Sequence, residues 1–229
     1  ENKKEQDALY QDLLIPVTSF FRDNNVFNHL CEKVFPHILK NKNQDEPIRV
    51  WVVGCSTGEE AYSMAICLLE TLGDRKERVQ IFATDIREPA ILQARSGIYT
   101  TAYVTGWYDE RLKKFFTKSS DGYRISKQVR DLCVFAAHNF LKDPPFGKVD
   151  FVSCRNVLIY METYLQKKAL TTFHYALNPA GSLLLGKSET GSSVPLLFDL
   201  TDRQDKLFTR KDAPGKFLHT ETLRKQKSR

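Results

Sequence analysis

Apolar residues along this chain follow two alternating rhythms. From Ile48 to Val53 they run unbroken apart from Arg49, as in a parallel strand buried on both faces. After Gly58 they recur at helical spacing, with Ala61, Ala65, Leu68, Leu69 and Leu72 on one face and Gly73 as the stop. A second strand spans Val79 to Thr84, and Pro89 opens a short helix through Ala94 that ends near Gly97. Further strands are predicted at Leu132 to Ala136 and Val149 to Cys154. A helix spans Glu162 to Leu177, with Leu165, Ala169, Leu170, Phe173 and Leu177 inward. Asn178 to Gly181 reads as a turn into the strand Ser182 to Leu185, and Leu207 to Thr209 as a last edge strand. Strands alternating with helices predict an open α/β sheet.

Two regions depart from that rhythm. The first, up to about Lys42, is helical, with Val26, Phe27, Leu30, Val34 and Phe35 at helix spacing, and a polar break from Asn41 to Pro47 closes it. The second runs from Ile98 to about Arg130. There Leu112, Phe115 and Phe116 suggest a helix, and Asp121-Gly122 before Tyr123-Arg124-Ile125 suggests a hairpin, together a small antiparallel insert. The predicted organisation is a helical segment over 1–45, an α/β domain over 46–210 with its insert at about 106–131, and a tail over 211–229.

Composition narrows the class. Hydrophobic residues are 41% and charged residues 27%, ordinary values for a globular domain. No apolar run approaches the roughly 20 residues that span a bilayer, so membrane insertion is not expected. The first residues lack a secretion signal and an initiator Met, which reads as a piece of a longer protein. Five cysteines without a C-x-x-C pair suit a reducing cytoplasm. His29, Cys31 and His37 match no common zinc spacing, and no metal is expected. The net charge is +6, but Arg210 to Arg229 holds seven basic and two acidic residues, so the tail carries most of it. A basic tail of this kind is a solvated linker, and no nucleic-acid partner is expected.

The chemistry concentrates at the first strand–loop–helix unit. Gly54-Cys55-Ser56-Thr57-Gly58 follows the first strand, and Asp85 ends the second. A small-residue turn and a carboxylate at the next strand tip form a ribose-binding device, which points to a nucleoside cofactor. The same five residues also fit G-x-S-x-G, which would make Ser56 a hydrolase nucleophile. Only one strand precedes it, however, and neither His174 nor His219 is well placed. Gly54 and Gly58 do not make the G-x-G-x-x-G of nicotinamide dehydrogenases.

Three segments resemble the CheR-type methyltransferases of bacterial chemotaxis. They are Val17-Thr18-Ser19-Phe20-Phe21-Arg22-Asp23, Trp51 to Ser63, and Cys154-Arg155-Asn156-Val157-Leu158-Ile159-Tyr160, with Ala83-Thr84-Asp85 and His138-Asn139-Phe140 between them. The wording from Leu13 to Asp23 is similar to versions fused to methylesterase and sensor domains. The resemblance implies a class I S-adenosylmethionine-dependent methyltransferase, with a Rossmann-like, mostly parallel seven-stranded sheet, a small antiparallel β insert and a shortened N-terminal helical segment. It implies methyl transfer from S-adenosylmethionine to glutamates of chemoreceptor cytoplasmic domains, with S-adenosylhomocysteine as product, and other domains of a longer parent protein as partners. Two departures from the family are Pro16, where Asn is common, and the shortened helical segment. A non-catalytic S-adenosylmethionine-binding sensor or docking module is the rival reading.

The resemblance also implies roles. Gly54 lets the backbone approach the methionine part, and Glu60 faces the ammonium group. Asp85 accepts from the ribose hydroxyls, Asn139 and Phe140 lie by the adenine, and Asn156 and Val157 stand at the sheet rim. Arg22 and Tyr160 sit at the transferred methyl, with Thr18 supporting Arg22 or touching the cofactor.

Overall fold

The computed structural model describes residues 18–213 except 44, 76–77, 105–108 and 121. The stretch Leu13 to Val17 with Pro16, Gly106 and Asp121 of the insert, and the tail beyond 213 lie outside the described residues.

The chain opens with α1 (Asn24–His29), a π-helical turn (Leu30–Val34) and α2 (Phe35–Asn41). Then come β1 (Ile48–Val53), α3 (Glu59–Leu72), β2 (Val79–Asp85) and α4 (Glu88–Ser96). The insert carries β3 (Ile98–Tyr99), α5 (Thr101–Val104), α6 (Asp109–Phe115), β4 (Phe116–Ser119), β5 (Gly122–Ile125) and α7 (Lys127–Arg130). The second half has β6 (Cys133–Ala137), β7 (Val149–Cys154), a 3-10 turn (Leu158–Tyr160), α8 (Thr163–Ala176), β8 (Leu177–Leu185), β9 (Phe198–Asp202) and β10 (Leu207–Arg210).

Seven strands form one sheet in the order β6-β2-β1-β7-β8-β10-β9. The first five of that order are parallel, and β10 runs antiparallel to both β8 and β9. The order turns back between β1 and β7, which opens a crevice beyond their carboxyl ends, the usual ligand position in open α/β sheets. The two central strands are almost wholly buried, as their largely apolar runs require, with Arg49, Asp150 and Ser153 the polar exceptions.

Each face of the sheet carries its own apolar layer. One packs Phe27, Leu30 and Phe35 of the N-terminal helices against Met64, Ala65 and Leu68 of α3. The other gathers Trp51, Val152, Leu170 and Phe173 under α8. Trp51 sits edge-on to Phe173 at 5.6 Å and donates from Nε1 to Thr84 Oγ1 at 3.0 Å. Phe20 stands edge-on to Tyr99 at 4.7 Å and to Phe116 at 5.6 Å, joining the N-terminal segment to the insert.

Four expectations change. Phe116 opens β4 and does not extend the helix, because its ring is needed against Phe20. The three-stranded insert sheet takes one strand from Ile98–Tyr99, ahead of the 106–131 range. Asn178 to Gly181 lies inside β8, where a register shift against β7 and Ala180 at φ 58° absorb the irregularity that reads as a turn. Leu207 to Thr209 is not an edge, since β9 covers it.

The buried carboxylate of Asp150 ties the first layer to the sheet. It accepts from Lys42 Nζ at 2.8 and 2.9 Å, from Arg49 N–H at 2.9 Å and from Asn178 Nδ2 at 2.7 Å. Asp150→Ala leaves the nearly buried Lys42 ammonium without its partner, and breaking a buried pair in this way costs about 3–5 kcal/mol. Urea unfolding of the variant is expected to show that loss with an unchanged slope.

Candidate active site

The crevice beyond β1 and β7 is a cleft of about 410 Å³. Thr18, Arg22, Gly54, Glu60 and Asp85 line it, and so do Asn139, Phe140, Asn156, Val157 and Tyr160. All ten residues singled out from the sequence therefore face one space.

Gly54 leaves β1 with φ 67°, and a Cβ there would stand 2.5 Å from Val157 Cγ2. Only glycine lets the loops after β1 and β7 close on each other. Asp85 ends β2 almost buried. Its Oδ2 accepts Ser56 N–H at 2.9 Å and its Oδ1 accepts Arg87 N–H at 2.9 Å, with the Arg87 guanidinium 3.5 Å away. These bonds fix both oxygens at the strand tip while the carboxylate still faces the cleft.

The adjacent acids at the start of α3 have separate fates. Glu59 is fully buried, and burial pushes its carboxyl up while hydrogen bonds from Thr57 and Thr18 pull the other way. Glu60 faces the cleft, accepts from Ser153 Oγ at 2.5 Å and lies 3.4 Å from Arg155 Nη1. Thr18 thus lines the cleft and also supports Glu59.

Asn139 uses its side-chain oxygen locally, accepting Leu141 N–H at 3.0 Å, so its amide NH₂ is the group left to face a ligand. Phe140 is half-buried, lining the cleft and packing 5.7 Å from the Phe173 ring. Tyr160 lies on the 3-10 turn at the cleft mouth, 68% exposed. Arg22 sits between Phe21 (φ 47°) and Asp23 (φ 65°), two left-handed residues that are not glycine. Ser56 (φ 49°) and Asn156 (φ 59°) share that conformation, so four of the seven such residues among the described ones flank or line this cleft. Strained backbone collects where a surrounding network over-determines it.

Two residues of that network escaped the sequence reading. Arg155, left there without a role, is the first. Its side chain is 2% exposed and donates to Arg22 C=O at 2.9 Å, to Asp23 Oδ2 at 2.6 Å and to Glu60 at 3.4 Å. Burial works against the Asp23 charge, but the Lys187 hydrogen bond and the Arg155, Lys187 and Arg22 charges hold its carboxyl below the usual range. Its stabilising contribution is present above that range and is lost as pH falls through the lowered value.

Glu189 is the second. Its Oε1 accepts N–H groups of Val157, Leu158 and Ile159 at 2.8, 2.7 and 3.3 Å, and its Oε2 those of Asn156 and Gly186 at 3.1 and 2.6 Å. A lone Glu in the polar stretch Lys187-Ser188-Glu189-Thr190 carries no local sign of this role.

The rival chemistries fare poorly. Ser56 Oγ accepts from Arg87 Nη2 at 3.0 Å, whereas a hydrolase serine donates its O–H to a histidine. His174 is buried in α8 beside Lys211 C=O, and burial lowers its pKa. His29 lies with Asp202 and Asp205, His37 pairs with Asn41, and Cys31 lies with Cys67 and Glu70, so these three residues do not share one cluster. No helix among the described residues is long and apolar enough to cross a membrane.

A glycine-opened crevice, a strand-tip acid and a seven-stranded sheet with its last strand inserted antiparallel define a class I S-adenosylmethionine-dependent methyltransferase. The chain belongs to the CheR methyltransferase family: residues 16–207 match its "CheR methyltransferase, SAM binding domain". S-adenosylmethionine is accordingly its cofactor, and the donor set fits it, with acids for hydroxyls and an ammonium and an aromatic ring beside an amide. The chain is 36% identical over 185 residues to "Chemotaxis protein methyltransferase 1" of Pseudomonas aeruginosa, covering 78% of this chain and 67% of that protein. It is 37% identical over 189 residues to the protein of the same name from Vibrio cholerae, covering 80% and 68%. It is also 40% identical over 190 residues to a 104.1 kDa protein of Rhodobacter capsulatus, covering 82% of this chain and 20% of that protein. The chain thus spans a fifth of the last relative's length and about two thirds of the other two.

Glu189→Gln exchanges one acceptor oxygen for an NH₂ group aimed at N–H donors. An unpaired buried donor costs about 1–3 kcal/mol. Calorimetric titration with S-adenosylhomocysteine is expected to show affinity reduced by about tenfold or more. Glu59→Gln at the neighbouring buried acid is expected to leave that affinity nearly unchanged.

Proposed function

We propose that this domain methylates glutamate side chains in the cytoplasmic domains of chemoreceptors, forming methyl esters in chemotaxis-type signalling. The domain would work in the cytoplasm, joined to other domains of a longer protein. Support for the acceptor comes from the names of the relatives and from the guanidinium that strained backbone presents at the cleft wall. That last feature carries the reading: Phe21 and Asp23 are both left-handed, and buried Arg155 grips the carbonyl of the residue between them, Arg22.

The cofactor supplies a methyl group activated by a sulfonium centre. The acceptor needs no general base, because a glutamate carboxyl with an ordinary pKa of about 4.3 is ionised at neutral pH. What remains is alignment and exclusion of water, and orientation can be worth about 7–11 kcal/mol. Arg22 holds the acceptor carboxylate through its planar fork. Tyr160, exposed at the mouth, donates one hydrogen bond and is covered when the acceptor docks. Asp85 accepts from the ribose hydroxyls, Glu60 faces the ammonium, and Gly54 gives the backbone room. Asn139 and Phe140 take the adenine edge and face. Asn156 and Val157 close the rim, and Thr18 holds the first turn of α3 in place.

The test separates binding from transfer. Arg22→Ala is expected to lower the rate of labelled-methyl transfer to a receptor cytoplasmic fragment by about 100-fold, the scale for losing one positioned charge-binding group. Tyr160→Phe is expected to lower it by roughly tenfold, near 1.4 kcal/mol. Both should keep S-adenosylhomocysteine affinity close to that of the parent protein. Full activity in both variants would remove these residues from the reaction centre. Cofactor binding by the parent protein without alkali-labile methyl esters would favour the docking-module reading.

A further inference from the structure

Four of the five cysteines hold thiols that resist deprotonation. Burial pushes the thiols of Cys55, Cys133 and Cys154 up, and that of Cys67 rises through its hydrogen bond to Cys31 and through burial. Cys31 differs in position and surroundings. It lies on the π-helical turn Leu30–Val34, half-buried, and its carbonyl accepts from Thr71 Oγ1 near the end of α3 at 3.5 Å. Single π-helical turns that interrupt a helix are frequent at functional sites. Its sulfur, the sulfur of fully buried Cys67 and the Glu70 carboxylate all lie within 4.8 Å of one another. The sequence separates the two thiols by most of the N-terminal segment and β1, and the fold brings them together.

The surroundings favour an anion on Cys31. The Cys67 thiol donates to it, and the Arg111 guanidinium adds positive charge, so its pKa falls although burial and Glu70 oppose this. Arg111 is itself fixed, forking onto Glu70 at 2.8 and 2.7 Å and covering the Phe21 ring at 4.4 Å. A second cleft, of about 430 Å³, opens beside the pair, lined by Asn28, Glu70, Arg111 and Lys114. Glu70 belongs to both the cleft and the cluster, so the cleft reaches the edge of the cluster, and Cys31 itself is only half-buried. A solvent-reachable thiolate with a second thiol beside it is the usual build of a redox-sensing cysteine.

We propose that Cys31 and Cys67 form a peroxide-oxidisable dithiol that closes to a disulfide between the π-helical turn and α3. In the first step the Cys31 sulfur attacks one oxygen of hydrogen peroxide. The O–O bond breaks, hydroxide leaves and takes a proton as water, and Cys31 becomes a sulfenic acid. In the second step the Cys67 sulfur attacks the Cys31 sulfur. The S–O bond breaks, and hydroxide leaves with the Cys67 proton as a second water. Two electrons pass from the two thiols to the peroxide. Rotation of the Cys31 side chain, the more exposed of the two, brings the sulfurs to the roughly 2.05 Å of an S–S bond. The bridge fastens the segment that follows Arg22 to the helix that begins with Glu59 and Glu60. This inference is independent of the acceptor proposed above, and its test reads thiols, not methyl transfer.

The reduced 229-residue chain is treated with a modest molar excess of hydrogen peroxide in the presence of EDTA, alkylated, digested without reductant and analysed by mass spectrometry. The expected product is an intramolecular Cys31–Cys67 peptide pair, accompanied by a higher thermal midpoint that dithiothreitol reverses. In Cys67→Ser, dimedone is expected to label Cys31 after peroxide; in Cys31→Ser, Cys67 is expected to stay unoxidised. The proposal is overturned if both thiols remain alkylatable after peroxide, if Cys133 oxidises as fast as Cys31, or if Cys31 bridges only between molecules. Failure of dimedone to label Cys31 in Cys67→Ser overturns it equally, and Cys67→Ala repeats that arm should the serine variant not fold.

Discussion

One buried carboxylate organises the rim beyond β7. The chain leaves that strand with Asn156 left-handed and Val157 right-handed, so that successive N–H groups turn to one side. Such a concavity is an anion site by construction. Here the protein fills it from within: Glu189 reaches back from the loop after β8 and takes the N–H groups of residues 156 to 159 together with that of Gly186. Without that carboxylate four adjacent donors would be stranded next to an apolar layer, and the loop could not hold Asn156, Val157 and Tyr160 against one cleft. The close approach of Val157 to Gly54 depends on the same anchor, since it demands that the β7 loop lie flat on the end of β1.

A second constraint couples the N-terminal segment to the sheet. Arg155 is buried with two carboxylates, Glu60 of α3 and Asp23 of the N-terminal segment. A buried ion network of this type is weak evidence for stability, because desolvation offsets much of the attraction. Its effect is geometric. By gripping Arg22 C=O and the Asp23 side chain it holds a backbone that left-handed, non-glycine residues would otherwise abandon. Phe21 adds to this from below, donating its N–H to Ser63 Oγ on α3 at 2.9 Å.

Which parts were legible in the sequence follows from how local their causes are. β1, α3 and Asp85 announce themselves, because buried parallel strands, an amphipathic helix and a small-residue loop each write a pattern within a few residues. The insert hairpin was visible for the same reason, but the outer strand Ile98–Tyr99 was not: two residues are too short to show alternation. Asn178 to Gly181 misled because Asn, Pro and Gly usually mark turns, whereas here a bulged strand absorbs them. Glu189 and Arg155 stayed hidden because, Gly186 apart, their partners are backbone atoms and acids 30 or more residues away. The left-handed residues around Arg22 were invisible because nothing in Phe21 or Asp23 asks for that conformation. Their cause is tertiary.

The division of charge around the cleft explains why two adjacent acids begin α3. Both would suit the positive end of a helix. Two charges side by side in the crevice would repel each other. The fold avoids this by burying Glu59 completely, where burial raises its pKa and threonine hydroxyls satisfy its oxygens, and by sending only Glu60 into the cleft. The acids that line the cleft are then Glu60 and Asp85, each matched by a guanidinium, Arg155 and Arg87. Arg22 is a third cation on the same wall. The side chains lining the cleft therefore sum to one positive charge, a balance that suits the anionic acceptor proposed above.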